Sequence, residues 1–241
     1  MRLHYEVDGD GPALVLLGSL GSDVSMWEPQ LPALRERRLV RVDLPGHGGS
    51  PVPDERFSIQ DVARAVLELI DGSASFCGIS LGGLVAMAIA AEAPARVERL
   101  VLACTKASFP PPEQWAERAA LVRRDGTAAI VDAVMARWFT GAADPALVER
   151  ARAMFVATPA EGYARCCEAL RDADLHAALP RITAPTLVVS GREDPTVTPA
   201  EAAALAEAIP GARHVTIERG GHLLSAERAD EFNLELLGHS G

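Results

Sequence analysis

The sequence predicts an α/β fold built on a mostly parallel sheet. Short apolar runs without polar alternation recur along the chain, helical patterns separate them, and Gly, Asp or Thr stands near the end of most runs. At 241 residues the chain suits one large domain, or a domain carrying an insertion. That length buries a sizeable core without disulfides or metals.

Taken in order, "LHYEV" alternates and reads as an edge strand. "ALVLL" (13–17) is the first fully apolar run, followed by a helical pattern over 27–37. "LVRVDL" (39–44) is the next strand, and a helix over 58–71 opens at Ser58, a residue type that caps helix N-termini. "SASFCGI" (73–79) leads into a small-residue helix over 81–93 that Pro94 ends. "VERLVLAC" (97–104) closes the first block. Residues 107–180 then break the alternation. Helix-like stretches at 113–124, 126–139, 145–157 and 160–172 follow one another with no strand among them, which predicts an all-helical cap. The core is expected over 1–106 and 181–241. There "PTLVVSG" (185–191) and "RHVTIE" (213–218) supply strands, and 199–209 and 223–237 supply helices.

Charge and cysteines narrow the function classes. A formal net charge of −10 argues against a nucleic-acid or anionic-membrane surface, and requires local donors for any anionic ligand. Cys77, Cys104, Cys166 and Cys167 fit no zinc spacing and read as buried free thiols. The first residues, "MRLHYEVDGDG", lack the apolar stretch of a signal peptide. No apolar run approaches the ~18 residues of a membrane helix, so a cytoplasmic protein without membrane partners is expected.

The chemistry concentrates around "FCGISLGG" (76–83). Gly78, Ser80 and Gly82 form G-x-S-x-G between a strand and a helix. A serine on so sharp a turn has strained backbone angles, and only glycines two residues away let strand and helix pass closely. A hydroxyl needs a base, and His222 in "ERGGHLLSAE" follows the last strand. An imidazole needs an acid to fix its tautomer. Asp194 in "GREDPTV" follows a buried strand and is preferred over its neighbour Glu193. The order Ser80, Asp194, His222 is the one expected of a strand-borne nucleophile of this type. The N–H groups of Leu81, at a helix start, and Leu20, in "GSLGSD", are the candidate oxyanion donors. His47 in "DLPGHGGS" reads as structural, Asp43 as a turn residue, and His4, His176, His214 and His239 as surface or packing residues.

"LGSLGSDVSMWEPQLPAL", "RVDLPGHGGSP", "FCGISLGGLVAMAIA", "VMARWFT", "YARCCEALRDADLHAALPRITAPTLVVSGREDP" and "IPGARHVTIERGGHLLSAERADEFN" together resemble the 3-oxoadipate enol-lactonases, α/β-hydrolases of bacterial aromatic breakdown. The resemblance covers nearly the whole chain, and its most specific parts lie in the helical insertion. It implies a sheet of seven to eight strands with helices on both faces, and lactone opening through an acyl-enzyme. It implies a small-molecule lactone or ester as the partner, and no metal or organic cofactor. Ser19, Arg137, Trp138 and Arg165 become candidates for binding the substrate, whose side chain carries a carboxylate. One departure stands out: similar proteins usually have Asn or His where this chain has Gly18. General carboxylesterases and cofactor-free perhydrolase or haloperoxidase-like relatives share the core motifs. A hydrolase-fold small-molecule receptor would keep the same three residues.

Overall fold

A computed structural model describes residues 1–240. Its sheet has seven strands: β1 (Tyr5–Asp8), β2 (Ala13–Leu17), β3 (Arg38–Val42), β4 (Ala74–Ile79), β5 (Val97–Ala103), β6 (Thr186–Gly191) and β7 (Arg213–Ile217). Their order is β1-β3-β2-β4-β5-β6-β7, and only the edge pair β1 and β3 is antiparallel. β4 and β6 are buried along their whole length, as their unbroken apolar runs require.

The order carries a consequence for the site. β2 lies between β3 and β4, so the connections leaving β2 and β4 run to opposite sides of their shared boundary. A crevice opens there, beyond the C-terminal strand ends. Register brings the other ends to the same edge: Ile79 pairs with Ala103, and Ala103 with Val189.

α1 (Ile59–Leu67) begins at Ser58, whose side chain and Asp61 form a reciprocal capping box. It packs against α2 (Leu81–Glu92), which is buried from Leu81 to Ala91. A helix apolar on all sides belongs in a core, and its Gly and Ala residues let it lie close to β2, β4 and β5. Between β5 and β6 come α3 (Pro112–Asp125), α4 (Val131–Trp138), α5 (Pro145–Ala157) and α6 (Ala160–Asp172), with no strand among them. α6 meets the loop after β3 at a glycine pair: a Cβ on Gly162 would lie 2.3 Å from the Gly46 carbonyl oxygen. An edge-to-face chain of Trp138, Phe155 and Tyr163, with centroids 5.7 and 5.4 Å apart, continues that contact towards the loop after β2. α7 (Pro199–Ala208), α8 (Leu224–Glu227) and α9 (Ala229–Ser240) complete the chain.

Three helical expectations are corrected. The helix expected over 27–37 is a 3₁₀ segment, Val24–Gln30, followed by turns; Asp23 caps it, and Pro29 and Pro32 withhold backbone donors. The stretch 126–139 divides into a 3₁₀ turn, Thr127–Ile130, and α4. The helix expected over 223–237 is broken at Arg228, whose φ of −124° and ψ of 50° are not helical. No described helix is long and apolar enough to cross a membrane.

Candidate active site

Ser80 sits where β4 turns into α2, with φ 54° and ψ −114°. Such angles strain any residue with a Cβ. The surroundings impose them. The Ser80 N–H donates to the Ala103 carbonyl (3.0 Å), and its own carbonyl accepts from Thr105 Oγ1 (2.7 Å). The flanking glycines are required by space: a Cβ on Gly78 would lie 2.3 Å from the Gly82 oxygen, and one on Gly82 2.2 Å from the Leu17 oxygen.

Asp194 follows β6 and is buried. Its Oδ1 accepts from the N–H groups of Thr196 (2.7 Å) and Val197 (3.1 Å), and its Oδ2 faces His222 Nδ1 at 2.8 Å. Glu193, the competing carboxylate, is exposed. A carboxylate can only accept, so His222 carries its proton on Nδ1 and presents Nε2 as a base. Ser80 and His222 line one cavity of about 240 Å³. Among the described residues no hydrogen bond joins Ser80 Oγ to His222; the two side chains share the cavity wall.

Cys104, directly after β5, packs beneath this pair. Its Sγ, the Asp194 carboxylate and a His222 ring nitrogen lie within 4.8 Å of one another. Burial, reinforced by the Asp194 charge, pushes its thiol well above the ordinary range, so it stays protonated. Glu227 ties the His222 loop to the helical segment. It accepts from Gly221 N–H (2.7 Å) through one oxygen, and from Thr140 N–H (2.8 Å) and Oγ1 (2.6 Å) through the other.

The loop after β2 supplies the opposite wall through Ser19 and Leu20. Among the described residues neither Leu20 nor Leu81 gives its N–H to a protein acceptor. The turn is held elsewhere. Gly82 N–H donates to the Gly18 carbonyl (3.0 Å), and Ser22 donates from both N–H (3.1 Å) and Oγ (2.8 Å) to the Ser19 carbonyl. Gly21 N–H donates to His47 Nε2 (2.9 Å). His47 Nδ1 faces the Pro45 carbonyl at 2.9 Å, which places its proton there and leaves Nε2 free to accept. Burial pushes His47 below the ordinary histidine range, so the accepting form persists. His47 is therefore structural, as its glycine-rich setting suggests, and what it supports is the loop after β2. At Gly18 a Cβ would meet Ser22 Oγ at 2.6 Å and Met26 Sδ at 2.8 Å. The room that a larger residue would need is already filled.

Of the residues proposed to bind substrate, Ser19, Arg137 and Trp138 line the cavity. Arg165 does not. It pairs with Glu161 (2.8 Å) and donates to the Asp54 carbonyl (3.1 Å). Sequence reading passed over Arg118, Lys106, Gln114 and Trp115, all of which line the cavity. A signal for Arg118 existed: it follows Trp115 by three residues on α3, next to the buried Ala119.

Comparison with known proteins agrees with this architecture. Residues 14–235 match the alpha/beta hydrolase family. The chain is 36% identical to 3-oxoadipate enol-lactonase 2 of Acinetobacter baylyi, over 97% of this chain and 91% of that one. It is also 36% identical to the "putative carbamate hydrolase RutD" of Variovorax paradoxus, over 98% and 95% of the two chains. The crystal structure of the enol-lactonase from Burkholderia xenovorans superposes with a TM-score of 0.95 at 42% identity, covering 98% of this chain and 95% of that one.

Proposed function

Because the chain belongs to the alpha/beta hydrolase family, we propose that it opens an enol-lactone, 3-oxoadipate enol-lactone or a close analogue, through a Ser80 acyl-enzyme. The observation that carries this reading is a single cavity shared by Ser80, His222 and the Leu20 loop, with Asp194 bonded behind the imidazole. The likeness to enol-lactonases over nearly the full length, helical segment included, supports the substrate.

The chemistry follows from the groups present. His222 Nε2 takes the Ser80 proton as Oγ adds to the lactone carbonyl, and Asp194 stabilises the imidazolium. Charge on the carbonyl oxygen falls to the Leu20 and Leu81 N–H groups, the latter at the positive end of α2. Collapse breaks the ring C–O bond and expels an enolate, which takes the His222 proton and tautomerises to a ketone. His222 then deprotonates a water that attacks the acyl-enzyme, and the proton returns to Ser80. The pathway of aromatic breakdown in which similar proteins work is part of the same proposal.

The test is loss of the conjugated enol-lactone absorbance on adding purified protein. Ser80→Ala should abolish it, with kcat reduced by about 10³-fold or more. Hydrolysis of simple aryl esters with the enol-lactone left intact would refute the substrate. RutD at the same identity favours a second reading, carbamate hydrolysis by the same three residues. Release of ammonia from a carbamate, without lactone turnover, would establish it.

A further inference from the structure

We propose that Glu227 is a positioning residue for the reaction: its carboxylate locks the loop that carries His222 to the cavity-lining end of α4, and so sets where the base stands. The inference rests on the hydrolase reading of Ser80 and His222 and says what places that base.

Both chain neighbours of His222 are bonded towards the end of α4. Leu223 N–H donates to the Trp138 carbonyl (2.9 Å). Gly221 N–H donates to Glu227 Oε2 (2.7 Å), and Glu227 Oε1 accepts from the Thr140 N–H (2.8 Å) and Oγ1 (2.6 Å). Glu227 ends α8, shortly after His222, whereas Thr140 is 87 residues away in the chain. The two segments touch backbone to backbone: a Cβ on Gly221 would lie 2.7 Å from the Trp138 oxygen and 3.2 Å from Phe139 Cα. On its other flank the loop meets the acid, where Glu193 N–H donates to the Gly220 carbonyl (3.0 Å) beside Asp194.

The bonding is specific to a carboxylate. Glu227 uses both oxygens on three neutral donors, and an amide of the same shape would turn a donor towards one of them. The neighbouring cation, Arg228, pairs with Glu231 instead. The helix that Glu227 reaches is part of the site, since Val134, Arg137 and Trp138 of α4 line the cavity with Ser80 and His222. Nucleophile and base therefore hang on different supports. Ser80 is held by β5 and Thr105, through its N–H to Ala103 and its carbonyl to Thr105 Oγ1. The His222 ring is held at Nδ1 by Asp194 (2.8 Å), and its backbone by Glu227 and Trp138. With Nδ1 anchored, the place of Nε2 relative to Ser80 Oγ depends on the loop backbone, and Glu227 is the side chain that fixes it.

The test is Glu227→Gln, read first on 4-nitrophenyl acetate. A misplacement of about 1 Å costs up to about 10²-fold, so a loosened loop should lower kcat about tenfold. KM should stay within about twofold, because the base acts only in the transition states of acylation and deacylation. A fluorophosphonate gives a readout without turnover: Ser80 Oγ bonds to phosphorus, fluoride leaves, and His222 takes the Ser80 proton. Its labelling rate should fall by about the same factor as kcat. Thr140→Val removes one of the three donors and should cost about threefold alone, but nothing further in the Glu227→Gln background, where the link is already broken. Glu231→Gln, which breaks the adjacent ion pair with Arg228, should leave kcat and labelling within about twofold. Wild-type kcat and labelling in a folded Glu227→Gln protein would overturn the proposal, as would equal losses in Glu231→Gln, or a lower kcat with unchanged labelling. Should Glu227→Gln fail to fold in urea titrations, Thr140→Val decides: labelling at the wild-type rate would overturn the proposal. The two readings fail separately. Slow labelling of Glu227→Gln in a protein that ignores the enol-lactone sinks the lactone and leaves Glu227 in its role; lactone turnover unchanged in Glu227→Gln does the reverse.

Discussion

His47→Asn isolates what holds the loop after β2, the proposed oxyanion loop. The asparagine amide can reproduce the donation from Nδ1 to the Pro45 carbonyl, but nothing replaces Nε2, so Gly21 N–H loses its acceptor. Gly21 is buried, and an orphaned buried donor costs about 1–3 kcal/mol. His47→Leu removes both ends. The Pro45 carbonyl still receives the Cys166 thiol at 3.5 Å, so most of the extra loss is packing and the total is about 2–4 kcal/mol. Either variant should remain folded against a usual domain stability of about 5–15 kcal/mol. Leu20 directly precedes Gly21, so slack in Gly21 moves the Leu20 N–H. Losing an oxyanion donor outright costs roughly 10²–10³ in kcat, and a loosened one should cost about tenfold. Urea unfolding reads the first quantity, and kcat on a 4-nitrophenyl ester reads the second. A His47→Asn protein that loses stability as forecast yet keeps kcat within about twofold would disconnect His47 from the oxyanion loop. The pH dependence has a definite sign. Folding lowers the His47 pKa, so the unfolded chain binds the proton first on acidification. The stability that neutral His47 contributes is complete above the ordinary value of about 6.5 and is lost as pH falls from there towards the folded value. The wild type should therefore lose more stability on acidification over that range than His47→Asn.

Two further outcomes test packing. Gly82→Ala would press a Cβ to 2.2 Å from the Leu17 oxygen and 2.6 Å from the Gly18 oxygen, backbone atoms that cannot swing away. It should cost about 3 kcal/mol or more and lower the melting temperature sharply, while Gly141→Ala, with nothing within 4 Å, should change stability by less than about 0.5 kcal/mol. The four cysteines are buried and free, and burial pushes the Cys167 thiol up to about 12. Ellman's reagent should thus react slowly with native protein and titrate all four after denaturation; one fast native thiol would contradict the burial.

Much of the site was legible because its constraints are local. A serine between glycines at a strand-to-helix turn reports its own backbone strain, and "VVSGREDP" and "ERGGHLL" place an acid and an imidazole after successive strands. The central parallel strands follow from unbroken apolar runs, and the edge strand β1 from the alternation in "LHYEV". The helix boundaries were less legible, because Pro29, Pro32 and Arg228 act through turns that periodicity does not register. The substrate-facing cations were the least legible. Arg137 and Arg165 look alike in sequence, each on a cap helix, yet one lines the cavity and the other is paired with Glu161. Which arginine meets the ligand depends on how α3, α4 and α6 pack, and on which carboxylates that packing supplies. The same holds for His47 reaching Gly21 and for Glu227 joining Thr140 to Gly221. By itself the sequence determined the sheet and the proposed nucleophile, acid and base at its strand ends, because turns and buried strands are specified within a few residues. Only the tertiary structure decided which charges face the cavity and what braces the loop after β2, because those contacts join residues far apart in the chain.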